Sequence, residues 1–220
     1  MRAIFWDNDG VLVDTEHLYF EATREALAEL GVELAESDFV ELSLRAGASC
    51  FDLAAARGVS RERIEAARAS RNGHYASLLA GTELIAGVRE TLDALHGRVP
   101  MAVVTSSRPE HFELQHSSTG ARRYFDFVLT GADFTRFKPD PEPYLMAADR
   151  LGVAPADCLV IEDSERGLVS AARAGMRCAV VPRGLSAGGD FSAAWRVLER
   201  IDQVPELVAD LLASPSRRES

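Results

Sequence analysis

The fold is decided by the stretch Ala3-Ile4-Phe5-Trp6-Asp7-Asn8-Asp9-Gly10, in which a short apolar run ends in two closely spaced carboxylates. Four consecutive apolar residues are typical of a strand that is buried on both faces of a parallel sheet. Side chains alternate along an extended chain, so Asp7 and Asp9 can point to one side while Asn8 points to the other. Because open α/β sheets bind ligands beyond the carboxyl ends of their strands, this pair indicates a functional site.

Four further apolar runs predict the other strands of this sheet, at residues 101–104, 127–129, 159–161 and 178–181. The segments between them have helical periodicity and predict helices at residues 88–95, 143–151, 165–174 and 205–212. Asp140 and Ser164 are candidate N-caps, since such side chains accept hydrogen bonds from the free amides of a helix start. The alternation of strands and helices predicts an α/β fold, a Rossmann-like parallel sheet core with helices on both faces.

Residues 16–85 differ from the rest of the chain, because they show helical spacing of apolar residues and no convincing strand. The first helix ends at Gly31, and three more are expected at residues 37–44, 49–56 and 61–79. We therefore predict an inserted all-helical cap domain at residues 16–85. The core domain would then be discontinuous, made of residues 1–15 and 86–213, and the polar residues 214–220 would form a disordered tail.

Composition excludes several function classes. The 24 basic and 34 acidic residues give a formal net charge of −10, which argues against nucleic-acid and anionic-membrane partners. Cys50, Cys158 and Cys178 are widely spaced and form no CxxC motif, so they fit buried free thiols in a reducing compartment. No apolar run approaches the roughly 18 residues of a membrane span. We expect a cytoplasmic protein that is a monomer or a weak dimer.

Polar residues suited to phosphate chemistry follow three of the other predicted strands. Thr105-Ser106-Ser107 supplies hydroxyl and amide donors, Glu162-Asp163-Ser164 contains a second acidic pair, and Lys138 lies in the loop after the third strand. Lys138 is also the only lysine of the chain, and its compact ammonium differs from the broad guanidinium of arginine. Because parallel topology brings strand ends to one edge of a sheet, these acids, hydroxyls and lysine are predicted to form one site.

The motifs at residues 7–15, 104–107, 138–141 and 162–164 closely resemble the four motifs of the haloacid dehalogenase-like hydrolase superfamily. The helical insert resembles the cap of its β-phosphoglucomutase-like branch, and the resemblance covers essentially the whole chain except the last few residues. It implies a phosphotransferase fold that uses Mg²⁺ as its cofactor and a small phosphorylated metabolite as its substrate.

The resemblance also implies a role for each motif residue. Asp7 is expected to attack phosphorus and form an aspartyl phosphate, while Asp9 acts first as general acid and then as general base. Thr105 and Lys138 complete the catalytic set by holding the transferring phosphoryl group. The expected phosphate-binding residues are Asn8, Gly10, Thr105, Ser106 and Lys138. The expected metal ligands are Asp7, Asp163, the backbone carbonyl of Asp9, and Glu162 directly or through water.

Substrate choice is expected to lie with the cap, where the candidate contacts are Arg45, Gly47, Ser49, Arg71, His74 and Tyr75. The leading function is a Mg²⁺-dependent phosphatase acting on a sugar phosphate or a similar phosphomonoester. The alternative is a β-phosphoglucomutase-type mutase, in which an arginine after Gly-x-Ser binds a second phosphate, although Cys50 follows Gly47-Ala48-Ser49 here. A more distant alternative is a phospho-acceptor signalling domain without turnover.

Overall fold

The computed structural model describes residues 1–213, so the tail predicted at 214–220 lies outside the described residues. Its strands are β1 (Ala3–Trp6), β2 (Met101–Val104), β3 (Phe127–Leu129), β4 (Cys158–Glu162), β5 (Arg177–Val180) and β6 (Arg196–Val197). They form one parallel sheet in the order β3-β2-β1-β4-β5-β6. The predicted α/β fold with a Rossmann-like parallel sheet is therefore confirmed.

The predicted ends of the strands need small corrections. β4 begins one residue earlier than predicted and continues through Glu162, and β5 is shifted one residue toward the N-terminus. β6 was not predicted, because Arg196 and Val197 are exposed and offer no apolar run. These differences lie at the ends of strands, where the apolar pattern of the sequence does not fix the exact terminal residue.

The described helices are α1 (Glu16–Glu29), α2 (Glu36–Phe39), α3 (Asp52–Ala56), α4 (Arg61–Leu78), α5 (Val88–Leu95), α6 (Pro109–His116), α7 (Glu142–Leu151), α8 (Glu165–Arg173) and α9 (Val204–Ala213). The helix predicted at 37–44 is α2 followed by a π-helical turn at Val40–Arg45, and the helix predicted at 49–56 is the shorter α3. Ser164 caps α8 as predicted, through a hydrogen bond from the Gly167 amide. Asp140 accepts from the Glu142 amide, but the residue that caps α7 is Pro141.

The two faces of the sheet are covered by different helices. In β1, Ile4 and Trp6 pack in one cluster with α5 and α9, whereas Ala3 and Phe5 pack in another with α7 and α8. All four side chains are completely buried. Burial of a large apolar side chain contributes about 1.5–3 kcal/mol, so this strand anchors the sheet from both sides. The functional residues that follow Trp6 therefore start from a rigid position.

The helices α1 to α4 fill residues 16–78 and form an apolar cluster of their own, which includes Leu27, Phe39 and Phe51. The chain enters and leaves this region side by side, because Val13 pairs with Leu84 in an antiparallel bridge. Within residues 1–213 no helix has both the length and the apolar character needed to cross a membrane. The three cysteines in this range are buried free thiols, as their spacing predicted.

Candidate active site

The functional residues meet at the place where the strand order reverses. β1 lies between β2 and β4, and the chain passes from β3 back across the sheet to β4. Asp7 therefore follows the central strand, with Thr105 after one neighbouring strand and Asp163 after the other. Such a switch point opens a crevice beyond the strand ends, which is where ligands bind in folds of this kind.

A tight turn after β1 brings the two acidic motifs together. The amides of Leu12 and Val13 both donate to the carbonyl of Asn8, at 2.8 and 3.1 Å. Gly10 has φ +81°, and a Cβ atom there would lie 2.1 Å from Asp163 Oδ2. Glycine is therefore required at this position for two reasons, the left-handed backbone and the close approach of Asp163.

Lys138 is held by three acceptors at the centre of the site. Its Nζ donates to Asp7 Oδ1 at 2.9 Å, to Glu162 Oε1 at 2.7 Å and to the Val104 carbonyl at 2.9 Å. The three hydrogens of the ammonium are thereby used, and the side chain is 2% exposed. A compact ammonium fits this enclosed position, which accounts for a lysine instead of an arginine at residue 138.

Glu162 orients Lys138. Its Oε1 also accepts from the Tyr144 hydroxyl at 2.6 Å, and its Oε2 accepts from the Ser164 hydroxyl at 3.1 Å. Burial raises the pKa of Glu162, but the charge of Lys138 and these hydrogen bonds offset burial and leave it below its usual value. Burial lowers the pKa of Lys138, and the charges of Asp7 and Glu162 reverse that effect. Both groups are therefore ionised at neutral pH.

Asp7, Glu162 and Asp163 form an acidic cluster, with one oxygen from each lying within 4.8 Å of the others. Both carboxylate oxygens of Asp163 are buried and have no hydrogen-bond partner. Burial raises the pKa of Asp7 to about 7, with Glu162 adding to the effect, and burial raises the pKa of Asp163 well above its usual value. Unpartnered carboxylate oxygens in this arrangement suit a hard divalent cation such as Mg²⁺.

Asp9 lies outside this cluster, because its carboxylate is bound by hydroxyl and amide groups. Its Oδ1 accepts from Thr15 at 2.5 Å and from Gln115 at 2.7 Å, and its Oδ2 accepts from Ser107 at 2.7 Å. A longer contact of 3.4 Å joins Thr105 Oγ1 to Asp9 Oδ2. The side chain is thus oriented separately from the metal candidates, which leaves its backbone carbonyl as the part predicted to contact the metal.

A cavity of about 690 Å³ lies between the strand ends and the cap, and its lining includes Asp7, Asp9, Thr105, Lys138 and Asp163. The hydroxyl of Ser106 faces this region without a hydrogen-bond partner, as expected of a phosphate-binding group. Of the residues predicted to contact substrate from the cap, Gly47, Ser49, Arg71 and Tyr75 belong to the lining. Gly47 lies close to the core, because a Cβ atom there would be 3.1 Å from the Lys138 carbonyl.

Three of the residues predicted to contact phosphate or substrate do not line the cavity. The Asn8 side chain is completely buried behind the site, where it donates to Gln115 and faces His116 Nε2 at 2.7 Å, so its side chain does not bind phosphate. Arg45 pairs with Glu41 and donates to the Gly188 carbonyl outside the cavity. His74 pairs with Glu25 at 2.9 Å, and neither residue lines the cavity.

Arg68 and Asn72 were missed by the sequence analysis, although both line the cavity. Arg68 Nη2 donates to Ser49 Oγ at 2.8 Å, while Arg71 stacks on Tyr19 with its guanidinium 4.5 Å from the ring centre. Residues 68, 71, 72 and 75 repeat at three- and four-residue spacing along α4, which places them on one face of that helix. This spacing is the sequence signal that could have identified Arg68 and Asn72 together with Arg71 and Tyr75.

Comparison with known proteins agrees with this geometry. The family model described as "Haloacid dehalogenase-like hydrolase" matches residues 4–181. Fructose-1-phosphate phosphatase YqaB of Escherichia coli is 32% identical over 181 residues, which cover 79% of this chain and 92% of that protein. A CbbY variant from Rhodobacter sphaeroides, solved with xylulose-1,5-bisphosphate, superposes with a TM-score of 0.79 at 25% identity and covers 92% of this chain and 96% of its own.

A β-phosphoglucomutase from Clostridium difficile shares the fold, with a TM-score of 0.79 at 22% identity over 97% of this chain and all of its own. The family match spans most of the chain, so this protein belongs to the haloacid dehalogenase-like hydrolases. Within that family its relatives identify it as a phosphoric monoester hydrolase, as the motifs had indicated.

Proposed function

We propose that this protein is a Mg²⁺-dependent phosphatase that hydrolyses a small phosphorylated metabolite, such as a sugar phosphate, through an aspartyl phosphate. The observation that carries the proposal is the close approach of the buried carboxylates of Asp7 and Asp163. Beside them, the three ammonium hydrogens of Lys138 are donated to Asp7, Glu162 and the Val104 carbonyl. In this proposal residues 1–15 and 86–213 are the catalytic core, and residues 16–85 are the cap that selects the substrate.

Asp7 is the nucleophile in the proposed reaction. Its Oδ1 is fixed by Lys138, which leaves the other oxygen to attack phosphorus as the bond to the leaving oxygen breaks. The resulting aspartyl phosphate is then hydrolysed by water, so that one difficult displacement becomes two easier ones. Lys138, Thr105 and Ser106 surround the transferring group and stabilise its charge.

Asp9 transfers the protons. It gives a proton to the leaving oxygen in the first half-reaction and takes one from the attacking water in the second. Its two oxygens are bound by Thr15, Gln115 and Ser107, so the carboxyl group is held in one orientation. When bound at Asp7 and Asp163, Mg²⁺ would supply positive charge that offsets the repulsion between a phosphate dianion and the Asp7 carboxylate.

We expect Mg²⁺ to raise the melting temperature, and to do so more at about pH 8 than at about pH 5.5. Burial raises the pKa of Asp7 to about 7, so the folded chain binds this proton more tightly than the unfolded chain does. Without metal, stability therefore falls as pH rises from about 4 to about 7, and the cation competes with the proton for the same oxygens.

The measurement is a thermal shift with and without Mg²⁺ at both pH values, together with activity in EDTA. Asp163→Asn should lose the shift, whereas Asp149→Asn, on the exposed side of α7, should keep it. Activity that survives EDTA together with an unchanged melting temperature would remove Mg²⁺ from the proposal.

The cap side of the cavity supports a polar, carbohydrate-like substrate. Arg68, Arg71 and Asn72 line that side. Arg71 donates to Asn72 Oδ1 at 2.9 Å and to Thr23 Oγ1 at 3.2 Å, so it brings a fixed positive charge with no carboxylate among these two partners. Fructose-1-phosphate phosphatase is a relative, and the CbbY structure holds a sugar bisphosphate, which agrees with this substrate class. A second anionic group on the substrate would meet the guanidinium groups of α4.

The mutase remains the second candidate, because Arg68 is bonded to Ser49 and brings positive charge beside the Gly-x-Ser segment. A phospho-acceptor without turnover is a weaker candidate, because the enclosed cavity and its acid–base residue suit a released product. The expectations of a cytoplasmic location, of no nucleic-acid or membrane partner and of a monomer or weak dimer stay predictions.

A panel of phosphorylated metabolites should separate these candidates. We expect Mg²⁺-dependent release of inorganic phosphate, with kcat/KM for the best sugar phosphate at least about tenfold above that for 4-nitrophenyl phosphate. With β-glucose 1-phosphate and a bisphosphate activator, we expect free phosphate rather than an isomer. Isomer formation without phosphate release would favour the mutase instead.

A further inference from the structure

The helix α6 buries polar residues where a helix of this kind normally buries apolar ones. Gln115 and His116 are 0% and 7% exposed, and they pack behind the turn that carries Asn8 and Asp9. Burial of an amide without partners would cost about 1–3 kcal/mol, so such a group persists only when it is bonded. Gln115 is fully bonded, and nothing in the four recognisable motifs explains its presence.

The hydrogen bonds of this cluster lead from Asp9 into the core. The Gln115 amide nitrogen donates to Asp9 Oδ1, at 2.7 Å. Gln115 Oε1 then faces away and accepts from Asn8 Nδ2 at 2.8 Å. Asn8 Oδ1 is thereby left to accept from His116 Nε2, at 2.7 Å.

The chain of bonds ends on backbone. Burial lowers the pKa of His116 to about 4, so the ring is neutral and carries one proton, on Nε2. Its Nδ1 accepts from the Thr119 hydroxyl at 2.9 Å, and that hydroxyl accepts in turn from the Ala121 amide at 3.2 Å. A connected network of hydrogen bonds of this kind fixes the position of its end group.

We infer that Gln115 is a positioning residue, which holds the Asp9 carboxyl group in the orientation that delivers a proton to the leaving oxygen. Gln115 does not line the cavity, so it acts through Asp9 and does not touch the substrate. This inference rests on the proposed function, because it assumes that Asp9 protonates the leaving group.

The same amide also contacts the cap. Gln115 Nε2 lies 3.2 Å from the Tyr75 hydroxyl and 3.3 Å from Thr15 Oγ1. Its first hydrogen is used by Asp9, and the second lies between the cap tyrosine and Thr15, the residue just before α1. Asp9 is therefore held most firmly when α4 is seated over the site.

Gln115→Met tests the inference, because methionine has a similar length but donates no hydrogen bond. The probes are phenyl phosphate and 4-nitrophenyl phosphate, which differ little in size, whereas phenol is the poorer leaving group. General acid catalysis contributes on the order of 10²–10⁴-fold, and its loss matters most for the poorer leaving group. We expect kcat/KM to fall about 30-fold for phenyl phosphate and less than about threefold for 4-nitrophenyl phosphate.

Phosphate binding should be unaffected, so the inhibition constant of inorganic phosphate should stay within about twofold of the parent value. Thr91→Val is the matched control, since it removes another buried hydrogen bond, from Thr91 to the Ile201 carbonyl, without touching the site. It should lower stability similarly and leave both kcat/KM values unchanged. If Gln115→Met does not fold, Gln115→Asn, whose shorter amide does not reach Asp9, should show the same leaving-group dependence.

Asp9→Asn separates failure of the inference from failure of the proposed function. If Asp9→Asn shows the leaving-group dependence and the Gln115 variants lower kcat/KM equally for both substrates, Gln115 is merely structural. If Asp9→Asn itself lacks that dependence, Asp9 is not the general acid and the proposed function fails. A proton on His116 Nδ1 instead of Nε2, seen by ¹⁵N NMR of the parent protein, would also contradict the network.

Discussion

Asp7→Asn is expected to abolish turnover, lowering kcat by at least about 10⁴-fold with every phosphomonoester tested. An amide cannot form the acyl phosphate on which the proposed reaction depends. Fold stability should survive, because burial raises the pKa of the parent carboxyl group to about 7, and a neutral amide of the same shape is cheaper to bury. Without metal, the melting temperature of the variant should therefore equal or exceed that of the parent.

The two measurements together identify the nucleophile. Phosphate release reports catalysis, while a melting curve with Mg²⁺ reports the loss of one of the proposed metal ligands, since the thermal shift should shrink in the variant. Asp14→Asn is the matched control, because Asp14 belongs to the same motif but has 46% of its side chain exposed and pairs only with surface groups. If Asp7→Asn turned over 4-nitrophenyl phosphate at the parent rate, Asp7 would not be the nucleophile.

The core motifs were predictable because their geometry follows from topology. A short apolar run bounded by turn residues favours a strand that is buried on both faces, and the residue after a parallel strand lies at the sheet edge. The structure places Asp7, Thr105 and Asp163 at that edge. The position of Lys138 could be predicted in the same way, because its loop follows β3 at the same edge of the sheet. Its exact partners could not, since Glu162 reaches Lys138, and Tyr144 reaches Glu162, through side-chain directions that spacing does not encode.

The cap contacts were less predictable, because a helical insert can place any of its faces over the site. Arg45 and Arg71 are both arginines in the cap, yet the first pairs at the surface and the second lines the cavity. The π-helical turn at Val40–Arg45 changes the facing of the residues around it, and ordinary helical spacing does not apply through it.

The missed helix α6 has a related explanation. Its buried residues include His111, Gln115 and His116, so the apolar pattern that normally reports a helix is weak. Polar residues become compatible with burial only when partners from elsewhere in the chain satisfy them, as Asn8 and Asp9 do here. Those partners lie more than a hundred residues away, which no local pattern reports.

Lys138→Met is expected to lower both activity and stability, by at least about 10³-fold in kcat and by about 3–5 kcal/mol in the free energy of unfolding. Removal of the ammonium leaves Asp7 and Glu162 as uncompensated buried carboxylates, since Lys138 Nζ lies 2.9 and 2.7 Å from them. A loss of that size corresponds to a melting temperature roughly 10 °C lower for a chain of this length.

The pH dependence distinguishes this explanation from simple loss of packing. Without Lys138 the pKa values of Asp7 and Glu162 rise, so the folded variant binds more protons than the unfolded chain, and its stability falls as pH increases. The stability deficit should therefore shrink toward about pH 5, whereas a packing defect would stay constant. Arg136→Met is the matched control, because Arg136 is 68% exposed and pairs with Asp140 and Glu142 at the surface, where ion pairs contribute little to stability. A Lys138→Met variant as active as the parent, or one with a pH-independent deficit, would contradict the charge-compensating role of this lysine.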